Sequence, residues 1–498
     1  MSRTRVVKGN YTKVSQGNHL MFADGNIITT ASEEVNQLGK DSGVKHGSPN
    51  RLANNEEKDF NISFSLNKDE QTMVPLGVLN FKNEYENPYF AFNYALSLSN
   101  IETLDFEIKD ADGNIIYLIT NLEPIVIMAR KVPHLHKQIP ALLPEYPVKT
   151  WDFANVFKQY TLGPPDYTSI GSYIIYWDGF DNDDIYDSSR FNNKKLTAKI
   201  TATKSGKQKS LEAEFSTNYH GVHWVDVKIN RSKKIIDATL RIGLTDGGAE
   251  GLECYDESIT RRTDDVPQKF CPWDKIPKSE IRAGQPIIKT RTRAFTDLAK
   301  LAIDGLNYHW GRNKNHFIAK DLKINGESFE FCMNALQTEK NAIGAMELIY
   351  NTNGKWMRSG NPGSIKDIMT AVGNVVSRQA ICYNVGYINY SNGWGYSPET
   401  SQDEVFKETS AHEIGHEILK KYGGTFYSYG HKGSTNSVFQ YKYDDAPEIP
   451  LTGEIDLMPY LSNNALGGED KQLNYYKRKV GSEKDVLGLI WLSKIEIL

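Results

Sequence analysis

Long hydrophobic runs are absent from this chain of 498 residues. No stretch approaches the roughly 18 apolar residues that a membrane-spanning helix needs, so no membrane span is expected. The first ten residues, MSRTRVVKGN, include basic residues but are not followed by the apolar core of a secretory signal peptide. We therefore expect synthesis in the cytoplasm and, if the protein is exported, secretion by a specialised system that does not read a signal peptide.

Cysteine is scarce, with four residues in the whole chain, which excludes a disulfide-dense scaffold. Cys332 and Cys382 lie in apolar surroundings typical of buried thiols. Cys254 and Cys271 flank a polar stretch, and they either pair in an oxidising space or remain two free thiols. The chain also lacks an excess of one charge, since its net charge is -4, so global charge favours neither nucleic acid nor an anionic membrane as a partner.

The composition is that of a soluble globular protein, with 39% hydrophobic and 24% charged residues. Residues 1–58 are polar, rich in glycine and end in a charged segment, which is typical of a leader and linker. Polar and apolar residues alternate over 61–66 and on both sides of the turn at 110–113, which predicts a small, mainly β domain at 59–145. A proline-rich linker ends it.

Two further hairpins are predicted in the next block, one around the turn at 205–206 and one around residues 230–233. Short strands with frequent turns favour an immunoglobulin-like β-sandwich over residues 150–246. After a polar linker at 247–290, helical spacing appears at 293–310, 368–376 and 484–495, with a hairpin at 317–331 and a strand at 381–390. The expected fold class is therefore multidomain: β modules followed by an α+β domain at 291–498.

The strongest motif lies in that last domain, where His412 and His416 flank Glu413 in the pattern HExxH. Residues four apart share one face of a helix, so both imidazoles can bind a single metal ion while Glu413 faces the water that the metal activates. Gly423 and Gly424 then end the predicted helix. The alternative is an exposed helix with two chance histidines.

A catalytic zinc takes three protein ligands and leaves a position open for water. His431 follows the helix-ending glycines in a glycine-punctuated loop that can fold back toward the metal, and imidazole suits zinc. Glu454 and Asp456 are carboxylate alternatives for the third ligand. We therefore expect one Zn²⁺ held by His412, His416 and a third ligand that the sequence leaves open.

With this HExxH motif and the later histidine, the segment Leu457-Met458-Pro459-Tyr460 resembles the methionine-turn of the metzincin metalloendopeptidases. The resemblance implies a methionine, Met458, beneath the metal and a tyrosine, Tyr460, that reaches toward it. Gly423 and His431 lie further from His416 than in that family's pattern, so the helix and loop are expected to be longer. Met458 is otherwise an ordinary buried methionine.

This chemistry predicts a zinc-dependent endopeptidase. Glu413 would be the general base and then the general acid, and Tyr460 would donate a hydrogen bond to the oxyanion. The strand at 385–390 would offer its edge to an extended peptide. Neither a phosphate-binding loop nor a Gly-x-Ser-x-Gly nucleophile turn is present to suggest another reaction.

A second candidate metal site is the acidic loop between Asp178 and Asp187, whose carboxylates are the ligand type that Ca²⁺ prefers. Its spacing departs from the EF-hand pattern, and a solvated acidic loop is the alternative interpretation.

The whole layout, with a glycine-rich leader, β modules and a C-terminal hydrolase, resembles bacterial polymorphic toxins delivered by contractile injection or type VI secretion systems. The resemblance implies a secreted effector whose N-terminal region docks on the delivery machinery, with a protein or peptide substrate and a cognate immunity protein as partners. A structural adaptor with an inactive C-terminal domain and a cytoplasmic housekeeping peptidase are the alternative functions.

Overall fold

The computed structural model describes residues 59–98, 101–120, 171–257, 268–361, 379–390, 393–437, 441–462 and 474–498, with the backbone of two short strands at 126–128 and 147–149. The leader expected at 1–58, the proline-rich linker before residue 150 and the helix expected at 368–376 lie outside these residues. Among the described residues, no helix is both long and apolar enough to cross a bilayer.

Strands predominate among the regular elements. In chain order they are Ile62–Leu66 (β1), Thr72–Met73 (β2), Phe90–Leu96 (β3), Thr103–Lys109 (β4), Ile115–Ile119 (β5), Val126–Met128 (β6), Pro147–Lys149 (β7), Gly171–Trp177 (β8), Ile185–Asp187 (β9), Lys194–Lys204 (β10), Lys207–Tyr219 (β11), Val225–Asn230 (β12), Ile235–Glu250 (β13), Tyr255–Glu257 (β14), Gln268–Phe270 (β15), Leu322–Ile324 (β16), Glu327–Gln337 (β17), Ile343–Lys355 (β18), Ala380–Tyr390 (β19), Gly393–Ser397 (β20), Ile455–Asp456 (β21), Lys479–Val480 (β22) and Ile495–Ile497 (β23). The α-helices are Phe295–His309 (α1), Glu399–Gly423 (α2), Thr425–Tyr429 (α3), Tyr475–Arg478 (α4) and Glu483–Leu492 (α5). The prediction of a β-rich chain is confirmed.

The first half of the chain forms two sheets that face each other across an aromatic core. One has the order β1-β3-β8 and the other β2-β23-β11-β10-β4-β5. Phe92 of the first sheet lies 5.3 Å from Phe106 and 5.6 Å from Phe215 of the second, measured between ring centroids. Strands from the predicted β domains at 59–145 and 150–246 thus share one sheet, because two or three strands alone cannot cover an apolar face.

A third sheet carries the C-terminal half, in the order β16-β17-β13-β18-β19-β20. Strands β17, β13, β18 and β19 run parallel, and α1 lies in the connection from β13 to β17. Parallel neighbours require such crossover connections, so the partners of β13 lie far downstream in the sequence. The sheet therefore crosses the boundary expected near residue 246.

Strand β19 confirms the strand expected at 381–390, but that strand does not offer a free edge. It pairs with β18 on one side and with the antiparallel β20 on the other. The expectation that residues 385–390 bind a peptide by edge pairing is wrong, because the chain turns back after Tyr390 and covers that edge itself. Strand β20 takes the outermost position and leads directly into α2.

Three predicted hairpins are confirmed as β4–β5, β10–β11 and β12–β13. The hairpin at 317–331 is confirmed for its second half, where β16 pairs with β17 around Asn325 and Gly326. The helix expected at 484–495 ends at Leu492, and Ile495–Ile497 becomes β23, which pairs with β2 and β11. Ile495 alternates with Glu496 in exposure, which suits a strand that completes the sheet.

Cys254 and Cys271 form a disulfide bond beside the β14–β15 ribbon, which settles the open alternative between a bridge and free thiols. Cys332 is half-buried and Cys382 is buried. The expectation of a buried thiol is therefore confirmed in full for Cys382 and in part for Cys332.

Helix α1 crosses α2 closely at Gly305, and this crossing holds α2 against the sheet. A Cβ atom at position 305 would lie 2.2 Å from the carbonyl oxygen of Lys407, nearer than any real Cβ approaches backbone. The missing side chain therefore sets the distance between the two helices.

We expect Gly305→Ala to lower the free energy of unfolding by about 1–3 kcal/mol, because the helices must separate to admit the methyl group. Urea denaturation of the full chain measures this change. Gly344→Ala is the matched control, since a Cβ there meets no atom within 4 Å. Equal stabilities of the two variants would contradict the assigned role of Gly305.

Candidate metal centre

Helix α2 presents the HExxH motif on its buried side. His412, Glu413 and His416 are buried, whereas the start of the helix is mostly accessible to solvent. The helix ends at Gly423 and is capped by Gly424, whose φ of 89° few other residues adopt and whose N–H donates to the carbonyl of Lys420. The predicted glycine termination is confirmed.

Met458 lies directly under the motif and is fully buried. A Cβ at Gly415 would lie 2.8 Å from the Met458 Sδ atom and 2.8 Å from the ring of Trp310. Glycine between Ile414 and His416 therefore lets the methionine and the indole reach the helix backbone.

His431 returns toward the helix through α3 and a tight turn. His431 and Lys432 have φ values of 46° and 58°, the left-handed region that non-glycine residues rarely occupy. The Lys432 Nζ atom holds the turn by binding Asp456, Asp485 at 2.7 Å and the Ser482 hydroxyl at 2.9 Å. Contacts on the Lys432 ammonium thus offset the strain that brings His431 into the site.

The structure brings His412, His416 and His431 together, with one nitrogen from each within 4.8 Å of the others. All three are buried. Within the described part of the chain, they are the one group of three or more histidine, cysteine or acidic residues placed to hold a metal ion. A buried three-histidine group that can hold a metal ion is therefore present.

Hydrogen bonds made by the Nδ1 atoms decide which nitrogen of each imidazole ring is available to bind a metal ion. His412 Nδ1 lies 2.9 Å from the carbonyl of Leu457, which can only accept, so Nδ1 carries the proton. The Ser428 hydroxyl donates to the carbonyl of His416 at 2.7 Å and therefore accepts from His416 Nδ1 at 3.1 Å. His431 Nδ1 lies 2.8 Å from the Thr435 hydroxyl in a similar arrangement.

With the protons on Nδ1, each Nε2 atom carries a lone pair, as a metal ligand must. His412 Nε2 is buried and has no hydrogen-bond partner. Burial lowers the pKa of His412, and it lowers the pKa of His416 and His431 well below the ordinary value. Repulsion from His431 and His412 adds to the lowering at His416, and repulsion from His412 adds to it at His431. Neutral imidazoles with an orphaned nitrogen fit a transition-metal ion such as zinc.

The two carboxylates considered as alternatives for the third ligand are bound to other side chains. Glu454 accepts two hydrogen bonds from Arg312, at 2.6 and 2.9 Å, and Asp456 binds Lys432. Neither belongs to the histidine group. Of the candidates considered from the sequence, the structure places His431 beside the other two histidines.

Glu413 lies next to the metal-ligand group and is buried. Burial raises the pKa of its carboxyl to about 8, Arg358 opposes this rise, and Glu408 adds to it. A carboxyl group that accepts and releases a proton near neutral pH is what a general base and acid requires.

Tyr460 stacks on the histidines, with its ring centroid 3.9 Å from that of His431 and 5.8 Å from that of His412. Its hydroxyl accepts a hydrogen bond from Arg358 Nη2 at 3.2 Å. The backbone N–H of Tyr460 donates to the Ser434 hydroxyl at 2.8 Å, which fixes the residue beside the His431 turn.

A cavity of about 230 Å³ opens onto these groups. Its walls include Trp356, Arg358, Glu413 and Tyr460. Nothing in the sequence pattern marks Arg358, Ser428 or Thr435 as functional, although Ser428 and Thr435 lie close after the motif in the sequence.

The acidic loop at 178–187 is held together by arginines. Asp178 pairs with Arg231, and Asp181 pairs with Arg190 at 2.8 Å. Asp187 accepts from the N–H of Ser189 at 3.0 Å. These contacts account for the carboxylates of Asp178, Asp181 and Asp187, and a calcium ion at this loop stays a prediction.

Comparisons with known proteins give little guidance. No family model matches the chain, and no curated protein matches it. Among solved structures, a Parabacteroides merdae β-glucuronidase aligns at a TM-score of 0.15 and 8% identity, over 72% of this chain and 33% of that one. A Bacteroides uniformis β-glucuronidase aligns at 0.13 and 8% identity, over 73% of this chain and 32% of that one. The chain thus spans about one third of these neighbours' length, and such TM-scores indicate neither a shared fold nor a shared activity.

We expect Thr435→Ala to weaken metal binding about tenfold or more, because His431 loses the acceptor that fixes its tautomer and ring orientation. Competition with a chromogenic zinc chelator measures the dissociation constant. Thr435→Ser keeps the hydroxyl and should restore tight binding. If the alanine variant binds zinc as tightly as the parent, Thr435 does not orient His431.

Proposed function

We propose that this protein is a zinc-dependent endopeptidase. The observation that carries the proposal is the convergence of three buried, neutral imidazoles beside the buried carboxyl of Glu413. This donor set suits zinc, and the adjacent acid–base group suits hydrolysis. It agrees with the resemblance to the metzincins that the sequence suggests.

His412, His416 and His431 would hold the metal. A bound zinc ion would polarise the scissile carbonyl and acidify the attacking water. Glu413 accepts the proton of that water as general base and then donates it to the leaving nitrogen as general acid. Because Glu413 is shielded from solvent, it keeps that proton until the amine leaves.

Tyr460 supplies a hydrogen-bond donor to the oxyanion that forms at the carbonyl. Burial raises its pKa above the ordinary value, so the phenol stays protonated and able to donate at neutral pH. Its stacking on His431 and the hydrogen bond from Arg358 fix the hydroxyl in advance, which strengthens such stabilisation.

An extended peptide would bind along β20, the outermost strand of the third sheet. An edge strand offers main-chain N–H and carbonyl groups to a peptide, so pairing would hold the substrate backbone. Strand β20 passes into α2 through Pro398, which places this edge at the start of the helix that carries the motif.

We also propose that the chain acts as a bacterial effector toxin. The support is the layout of leader, β-rich part and C-terminal hydrolase, which resembles polymorphic toxins of contractile injection and type VI systems. The N-terminal region would dock on the delivery machinery, and a cognate immunity protein would cover the cleft in the producing cell.

We expect purified protein to contain one zinc per chain and His412→Ala to lose it, because a two-imidazole site binds zinc weakly. Glu413→Gln should keep the metal and lose peptide cleavage, since the amide cannot accept the water proton. Metal analysis and cleavage of a denatured protein substrate measure both effects.

Glu417→Gln, one turn along the same helix, is the control and should keep both properties. Parent protein without metal would overturn the proposed function. Cleavage retained by Glu413→Gln would remove Glu413 from the mechanism.

We expect Tyr460→Phe to lower kcat about a hundredfold while KM and zinc content stay close to the parent values, because the lost hydrogen bond acts on the transition state. Steady-state kinetics on one peptide separate the two constants. Tyr255→Phe, on the ribbon beside the disulfide, should leave kcat unchanged. A change confined to KM would assign Tyr460 to substrate binding instead.

A further inference from the structure

Residues 356–360, the wall segment, follow β18 and line one side of the cavity. The N–H of Trp356 donates to the carbonyl of Asn389 at 3.0 Å, whereas the N–H of Gly360 donates to the carbonyl of Ala380 at 2.9 Å. These partners lie in descending order along β19, although β18 itself runs parallel to β19. The chain therefore turns back after β18, and the wall segment runs in the opposite direction to β19.

Two asparagines hold this reversal on both sides of Trp356. Asn351 of β18 and Asn384 of β19 are register partners, and Asn351 Nδ2 donates to Asn384 Oδ1 at 2.7 Å. Asn384 Nδ2 donates to the carbonyl of Met357 at 3.2 Å. Asn351 Nδ2 also donates to the carbonyl of Lys355 at 3.5 Å. Carbonyl oxygens only accept hydrogen bonds, so both amide groups are fixed in this orientation.

The packing of the sheet does not by itself call for this pair of amides. Asn351 is buried, and the residues two places before the asparagines, Ile349 and Cys382, are buried in a small apolar cluster with Met357 packed against it. Alternate residues of a strand face the same side of a sheet, so the pair lies on an apolar face. A buried amide is costly unless its hydrogen bonds are made, and here they are made to the chain reversal. The pair is therefore explained by the wall segment that it holds.

Arg358 joins the wall segment to Tyr460. It follows Met357 directly, and its Nη2 atom lies 3.2 Å from the Tyr460 hydroxyl. A peptide bond is planar, so the hydrogen bond that holds the Met357 carbonyl also fixes the plane of the peptide that enters Arg358. Asn384 and the Tyr460 hydroxyl are thus connected through one backbone carbonyl and one side chain.

We infer that Asn384 is a positioning residue of the site, which acts on Tyr460 through the wall segment and Arg358. By holding the Met357 carbonyl, it sets the direction in which the Tyr460 hydroxyl meets the developing oxyanion. Asn351 supports this role by fixing the orientation of the Asn384 amide. The inference rests on the proposed peptidase function and goes beyond it, since it gives a part in the reaction to a residue outside the motif and its loop.

Asn384→Leu tests the inference, because leucine has the same branched shape but makes no hydrogen bond to Met357. We expect kcat for one peptide to fall about tenfold while KM stays close to the parent value, since a misaligned Tyr460 hydroxyl weakens binding of the transition state alone. In a Tyr460→Phe background the same change should lower kcat less than about twofold, because the hydroxyl that it misaligns is absent. Steady-state kinetics of the four proteins measure both effects.

Asn351→Leu/Asn384→Leu is the second variant, because replacing both partners of a hydrogen bond by apolar groups of the same shape leaves stability nearly unchanged. It should reproduce the kinetics of Asn384→Leu. Asn334→Leu makes the same change at an exposed position of β17 and should leave kcat unchanged. Zinc content and circular dichroism of each variant establish that the site and fold persist.

Unchanged kcat in both leucine variants would overturn the inference. So would equal losses of kcat with and without the Tyr460 hydroxyl, because a merely structural role of Asn384 does not depend on that group. A change confined to KM would assign Asn384 to substrate binding, and a shifted pH profile with the same maximal kcat would assign it to Glu413; either result also overturns the inference. Absence of zinc or of cleavage in the unmodified protein would count against the peptidase proposal instead, so the two failures are distinguishable.

Discussion

Desolvation of three imidazoles is the constraint on which the site depends. Buried rings resist protonation, and one nitrogen from each of His412, His416 and His431 lies close to the others. Each Nδ1 is engaged by an oxygen, and the Nε2 atom of His412 is buried without a hydrogen-bond partner. Such an array is unfavourable in a core unless a cation completes it. The left-handed backbone at His431 and the glycine inside the helix at Gly415 lower the stability of the fold at the same place. Their concentration around one point fits a group that could hold a metal ion.

Each buried lysine near the array is bound by carboxylates. Lys432 is bound by Asp456 and Asp485, and Lys479 is bound by Glu408. A buried ion pair contributes little net stability, but it fixes the positions of its side chains, because each charge would be costly if left alone. The contacts of Lys432 fix the turn that carries His431, and the pair of Lys479 with Glu408 fixes one wall of the cavity.

The helix and its metal motif could be predicted because they are local: residues four apart share a face, and a glycine ends the helix. His431 could be proposed, since a chain leaving that glycine can return to the helix, but only the fold excludes Glu454 and Asp456 by pairing them elsewhere. Arg358 could not be found, because its position depends on parallel pairing of β18 with β19. The third sheet crosses the boundary expected near residue 246 for the same reason, since the partners of β13 follow much later in the sequence.

Strand β23 has a consequence for the integrity of the molecule. The chain passes from the first two sheets to the part that carries the histidine group and then returns, since β23 is inserted between β2 and β11. A protease that cut the polypeptide between the two halves would produce a nicked protein whose pieces stay together through shared sheet hydrogen bonds. That cut alone would therefore not release the part that carries the histidine group as a free fragment, because β23 keeps it joined to the sheet of β2 and β11.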